Sequence, residues 1–208
     1  MHGHLHCHLL IPDLSPPHVR HLPALEALLA RGKPLAEPED SMESWLCQAF
    51  GVEKQADWPA APFSLLADGG IPGNDYWLRA DPVSVQLMRN QLVLFAGGDI
   101  TPGAAEAEEL CAALNRHFSA DNLHFSAPHP QRWYLRLPVA PDLLTHSLAQ
   151  VNSHDIRHFM PAGAGGADFC KLLNEAQMLL HAHPLNAARE AAGLPPINGL
   201  REGSWQGT

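Results

Sequence analysis

Positive charge is scarce in this chain. Its 208 residues carry 13 Lys and Arg against 22 Asp and Glu, a formal net charge of -9, and no basic run offsets that balance locally. Such a surface repels a phosphate backbone, which argues against a nucleic-acid partner. Long apolar runs are missing as well: none approaches the roughly 18 residues of a membrane span, so no membrane association is expected. The start, Met1-His2-Gly3-His4, has no basic segment, and no small-residue cleavage site follows Leu9 to Ile11. No secretory signal is read there, and the expected location is the cytoplasm. Cysteines are few, and Cys7, Cys47, Cys111 and Cys170 lack paired spacing, which argues against a zinc ribbon or a disulfide framework. What remains is an ordinary globular composition, 46% hydrophobic, in one domain or two small, closely packed ones that need no covalent staples.

Periodicity supplies the elements. Leu5 to Leu14 reads as a strand ending at Pro12-Asp13. Leu22, Leu25, Leu28 and Leu29 fall at helical spacing, so a helix is expected over Pro23 to Arg31 with Gly32 as its stop. Ser41 can cap a second helix from Met42 to Phe50. Pro, Gly and Asp are dense between Val52 and Asn74, which predicts irregular chain and a seam between two lobes. Beyond it, Val83, Val85 and Leu87 alternate and Gln91 to Phe95 is strand-like, a hairpin turning at Met88-Arg89-Asn90. A helix is expected from Thr101-Pro102 to His117, with Ala107, Leu110, Cys111, Leu114 and Phe118 on its apolar face. Trp133, Leu135 and Leu137 alternate with Arg132, Tyr134 and Arg136, a strand with one buried and one polar face. A last long helix begins near Asp168 with Phe169, Leu172, Leu173, Ala176, Leu179 and Leu180 on one stripe, and Pro184 restarts a shorter one.

Two side-chain patterns bear on chemistry. His2, His4, His6 and His8 alternate, so on a strand they share a face and can converge on a divalent metal. His6-Cys7-His8 is also similar to the His-x-His opening of amidohydrolase and PHP-type hydrolases, with His181 and His183 further along. The alternative is a His-rich strand that binds metal adventitiously. The second pattern is Arg132-Trp133-Tyr134-Leu135-Arg136, which sets two guanidinium forks and a hydroxyl on one face, a favourable arrangement for phosphate or carboxylate oxygens. Pairing with Asp or Glu on a solvated surface is the competing reading. His154-Asp155 is either a polarised acid or base, or a turn and capping feature.

An ordered series of segments narrows these choices. Trp77-Leu78-Arg79-Ala80-Asp81-Pro82-Val83, Leu92-Val93-Leu94-Phe95, Asp99-Ile100-Thr101-Pro102, Leu114-Asn115, Leu123-His124-Phe125, Gln131-Arg132-Trp133, His154-Asp155-Ile156, Met160-Pro161-Ala162-Gly163, Leu172 to Leu180, His183-Pro184-Leu185-Asn186, Arg189 and Gly193-Leu194-Pro195-Pro196-Ile197-Asn198 run in that order. Over about 125 residues this resembles the central part of the archaeal-type, 2,3-bisphosphoglycerate-independent phosphoglycerate mutases of the alkaline phosphatase superfamily. It is also similar to bacterial proteins labelled phosphoglycerate mutase-like or RpfE-type regulatory protein.

The resemblance implies an α/β fold, α+β in its central region, with a partial alkaline-phosphatase-like architecture. Residues 1–75 would form a degenerate phosphatase-like lobe and 76–208 a cap-like, substrate-covering domain. It places Arg79, Arg132, His154, Asp155 and Arg189 around a small phosphorylated or carboxylate ligand, with packing as the equal alternative for Arg189; Arg136 joins this set from the strand-face pattern it shares with Arg132. It aligns Asp13 with a metal-binding aspartate and Ser41 with the nucleophilic serine, Ser44 being the neighbouring register. His6 and His8 are further candidate ligands for Mn or Mg, and no organic cofactor is implied. Phosphoryl transfer through a serine needs two metals in fixed geometry, and the family draws most of those ligands from a carboxy-terminal half that these 208 residues do not match. The expectation is therefore a glycolytic isomerase-like protein with an incomplete metal site. A non-catalytic regulatory or phospho-ligand-binding protein and a small His-rich metallohydrolase are the alternatives.

Overall fold

The computed structural model describes residues 21–33, 42–54, 58–88, 91–144 and 159–203. Helix α1 spans Pro23–Arg31, with Pro23 in its first turn and Gly32 following it. The Glu26 carboxylate accepts from the Leu22 N–H at 3.1 Å. Its leucines do not form a core, since Leu28 and Leu29 are each 67% exposed. Helix α2, Met42–Ala49, buries Ser44 and Cys47 and gives way to Gly51 in the left-handed region, φ +70.

The stretch from Val52 to Asn74 is not uniformly irregular: it holds helix α3, Ala60–Ala67. The proline density misled because Pro62 is the third helical residue, where the missing N–H removes only an orphan donor.

Strand β1, Tyr76–Met88, is the spine of a five-stranded sheet. It pairs antiparallel with three others: β2 (Gln91–Phe95) through 84–88, β4 (Arg132–Leu137) through 76–79 and β5 (Gly199–Gly203) through 79–83. The expected hairpin closes with Met88 opposite Gln91; its Arg89 and Asn90 lie outside the described residues. Strand β3, His124–His129, pairs with β4 across an irregularity between Ser126 and His129.

Helix α4 runs Ala104–His117, three residues later than Thr101-Pro102 suggests. Its start is set by the Glu106 carboxylate, which accepts from the Gly103 N–H at 2.7 Å, half of a capping box. Helices α5, Gly166–His181, and α6, Pro184–Ala191, follow. The result is a mixed α/β fold with a central antiparallel sheet, the fold class expected. No helix among the described residues is long and apolar enough to cross a membrane.

The two sheet faces differ. Leu78, Ala80, Phe125, Trp133, Leu135, Leu137 and Leu200 point to one side, where Leu110 and Leu114 of α4 and Phe169, Ala176 and Leu180 of α5 bury them in the main core. On the other side Ala61 and Leu65 of α3 pack on Trp77 and Tyr134. This corrects the reading of β4 as half polar: Tyr134 is fully buried, because α3 lies over the face that alternation assigned to solvent.

On α5, Leu180 is fully buried, whereas Leu172, Leu173 and Leu179 are partly buried against the core. Leu180→Ala is therefore expected to cost about 2 to 5 kcal/mol through lost transfer energy and a cavity, and Leu173→Ala less. Urea midpoints test this: equal losses would mean that α5 packs with a different stripe inward.

Candidate functional site

Residues 77, 79 and 81 of β1 and 132, 134 and 136 of β4 alternate onto the face that α3 partly covers. Three of the sequence-predicted site residues, Arg79, Arg132 and Arg136, are thereby brought together around Tyr134. The Arg79 guanidinium lies 5.5 Å from the Tyr134 ring centroid, a stacking geometry that suits arginine. It grips Asp81 with Nε to Oδ1 at 3.1 Å and Nη2 to Oδ1 and Oδ2 at 2.8 and 2.7 Å. The Trp133 N–H donates to the same carboxylate at 3.3 Å. Burial pushes the Asp81 carboxyl above its usual range, against the pull of Arg79 and the Trp133 N–H. Arg201 stands opposite Asp81 on β5 and donates to the Phe159 carbonyl.

Arg132 is held by a carboxylate from outside the sheet. Asp68, the residue that ends α3, accepts from Arg132 Nε at 2.8 Å, from Arg132 Nη2, and from the Tyr134 hydroxyl at 2.6 Å. With its side chain only 7% exposed, Asp68 is held at about 2, first by Arg132 and then by the Tyr134 hydrogen bond, which together outweigh its burial. Tyr134 moves the other way, its phenol pushed up by burial and by donating to Asp68. Arg136 is the loosest: its nearest carboxylate, Asp75, is 3.8 Å away, and the two side chains are 43% and 54% exposed. Each of the three guanidiniums thus faces an aspartate.

Arg189 is elsewhere. It lies on α6, 2% exposed, with Nη1 on Glu106 Oε2 at 2.7 Å and Nε on the Pro195 carbonyl at 2.9 Å. These contacts fasten α6 to the start of α4, on the opposite side of the sheet. Asp13, Ser41, His6, His8, His154 and Asp155 lie outside the described residues. Ser44, the alternative to Ser41, is buried on α2. Among the described residues no group of three His, Cys, Asp or Glu side chains could hold a metal ion. A cavity of about 330 Å³ between α2 and α3, lined by Leu46, Cys47, Phe50, Phe63 and Ser64 among others, is largely apolar and has no cation in its lining. Sequence reading missed Asp68 and Asp81 as partners. Asp81 left a signal, being an acidic residue inside an otherwise buried strand; Asp68 left none.

Because the folded Asp68 carboxyl sits near 2 and the ordinary value is 3.8, the contact contributes stability above about pH 4 that is lost as pH falls through about 2. Its size is on the order of 1 to 2 kcal/mol, reduced by the partial exposure of Arg132. Asp68→Asn should lower the urea midpoint at neutral pH, and its difference from wild type should close between about pH 4 and pH 2. A difference independent of pH would show that the carboxylate charge is not what stabilises the contact.

Comparison with known proteins bears on the fold. No protein-family model matches the chain. The 2,3-bisphosphoglycerate-independent phosphoglycerate mutase of Methanosarcina mazei is 30% identical over 100 residues, which are 46% of this chain and 24% of that protein. The solved structure of the cofactor-independent phosphoglycerate mutase from Thermoplasma acidophilum superposes with a TM-score of 0.54 at 19% identity, covering 72% of this chain and 42% of that one. The chain therefore spans about a quarter of the curated relative and less than half of the solved one, and what it shares with the solved structure is the fold of that part.

Proposed function

We propose that the arginine-bearing sheet face binds a small ligand carrying a phosphoryl group and a carboxylate, and that the chain is a phosphoglycerate mutase-like protein whose 76–203 region makes the substrate contacts. The observation that carries this is the convergence of Arg79, Arg132 and Arg136 around Tyr134, in a chain with so few cations, on a fold similar to that of a phosphoglycerate mutase. Guanidinium forks recognise phosphate and carboxylate oxygens in bidentate fashion, and a phenol supplies a further donor.

For the transfer step a divalent metal, Mn or Mg, would supply charge neutralisation and an activated serine oxygen. The described residues provide no donor set that fits it, so no step is derived through a metal. Asp13, His6, His8 and the nucleophile candidate Ser41 are the chain's own residues for that role. A second reading, a regulatory or phospho-ligand-binding protein without turnover, needs only the arginine face, since anion binding by Arg79, Arg132 and Arg136 requires no metal donor.

Two measurements test the proposal. Calorimetry with 3-phosphoglycerate should give weaker binding for Arg132→Ala and for Arg136→Ala, each losing a charge-assisted bond worth roughly 1.5 to 3 kcal/mol. Arg136→Ala should leave stability nearly unchanged. Equal affinities for wild type and both variants would sink the assignment of the face. In an enolase-coupled assay with manganese, the 208-residue chain should interconvert 2- and 3-phosphoglycerate far below the roughly 1 to 1000 per second of ordinary enzymes. Turnover in that range, abolished by Ser41→Ala, would establish instead that the chain carries a full mutase site.

A further inference from the structure

Asp68 places a carboxylate where an anionic ligand of Arg132 and Tyr134 would sit. The location is an awkward one for negative charge. Asp68 follows the last residue of α3, and the C-terminal end of a helix dipole disfavours an anion, so its compensation comes from the two β4 side chains. The apolar hold of α3 on the sheet is confined to one small cluster, and the chain beyond Gly70 is tied down separately by the Trp77 Nε1–H, which donates to the Pro72 carbonyl at 2.9 Å. Ala61 and Leu65 meet Trp77 and Tyr134, while Phe63 and Leu66 of the same helix are 54% and 60% exposed. Immediately after Asp68 comes Gly69 in the left-handed region, φ +86, and then Gly70, where a Cβ would stand 2.3 Å from Leu65 Cδ1. Gly69 needs glycine for its left-handed backbone, Gly70 leaves room for a Cβ only if the Leu65 side chain shifts, and two successive residues without a Cβ give the chain a place to change backbone conformation.

We propose that Asp68 is an internal competitor: in the ligand-free protein it occupies the Arg132–Tyr134 fork, and a phosphoryl ligand binds by displacing it, with α3 swinging away at Gly69 and Gly70. This rests on the anion-binding reading of the face. The chemistry selects the class of ligand. Asp68 brings one charge and two oxygens, tethered and therefore at high effective concentration. A phosphoryl group brings nearly two charges and three acceptor oxygens, whereas a free monocarboxylate offers nothing that Asp68 does not already supply. The face is accordingly selective for phosphorylated over merely carboxylated ligands.

The test compares wild type with Asp68→Asn at neutral pH in three measurements. Modification of Arg132 by phenylglyoxal, followed by peptide mass spectrometry without ligand, should be about tenfold faster in Asp68→Asn, because the fork is no longer occupied by a charge. Inorganic phosphate should bind Asp68→Asn about tenfold more tightly than wild type by calorimetry, and acetate should bind detectably to the variant alone. In wild type, phosphate should accelerate hydrogen exchange of the α3 amides, where a ligand that left α3 in place would slow it; this measurement decides the matter if the variant fails to fold. Unchanged Arg132 reactivity, phosphate affinity in the variant equal to or below that of wild type, or slowed exchange in α3 overturns the inference. Faster Arg132 modification with no phosphate bound by either protein would keep Asp68 as the occupant of the fork and remove the anion-binding reading instead.

Discussion

A sheet this irregular depends on asparagine. Three Asn side chains each act as a peptide group in profile, accepting from a backbone N–H and donating to a backbone carbonyl. Asn115 of α4 does so with both polar groups of Phe125 at 2.6 and 2.8 Å and so fixes β3. Asn198 does the same to Val85, at 2.7 and 3.0 Å, continuing the pairing of β1 beyond β5. Asn186 joins the Leu180 and Ile197 carbonyls and the Ile197 N–H, tying the end of α5 to the segment that leads into β5. Buried backbone groups must be paired, and β3, with Pro128 and a register irregularity, and β5, bounded by glycines, do not meet that requirement through their ladders alone. Once the amides hold them, β1 has neighbours, and the arginine face has a floor.

That division explains what was legible in the sequence. The hairpin of β1 and β2 and helices α1, α5 and α6 follow from local pattern, since alternation, proline at a first turn and glycine at a stop act within a few residues. Strands β3 and β5 do not: His124–His129 contains Pro128, Gly199–Gly203 is bounded by glycines, and their partners are set by side chains from distant segments. Helix α3 was obscured for the opposite reason, because Pro62 is a helix breaker everywhere except in the first turn it occupies. Of the face itself, the arginines could be read from their spacing on β4 and from the resemblance, but the acidic partner of Arg132 comes from 64 positions earlier, and no local pattern announces such a pairing.

Electrostatics on that face follow from economy of charge. An acidic chain that gathers arginines beneath a helix must neutralise them where solvent is thin, or lose the hydration of each without return. Asp81 does this from within β1 and is strained upward by its burial; Asp68 does it from outside and, with a phenol to help, is held strongly ionised. The two carboxylates therefore have unlike characters: one belongs to the floor of the face, the other to its cover.

Glu106 has a further consequence, which concerns cooperativity. A single oxygen, Oε2, accepts both from the Gly103 N–H that begins α4 and from Arg189 on α6. Fraying of the first turn of α4 strips Arg189 of its counter-ion, and loosening of α6 leaves the start of α4 with a weaker cap. Neither end can open without raising the free energy of the other, which couples local opening of the first turn of α4 to that of α6, 83 residues apart along the chain at this contact.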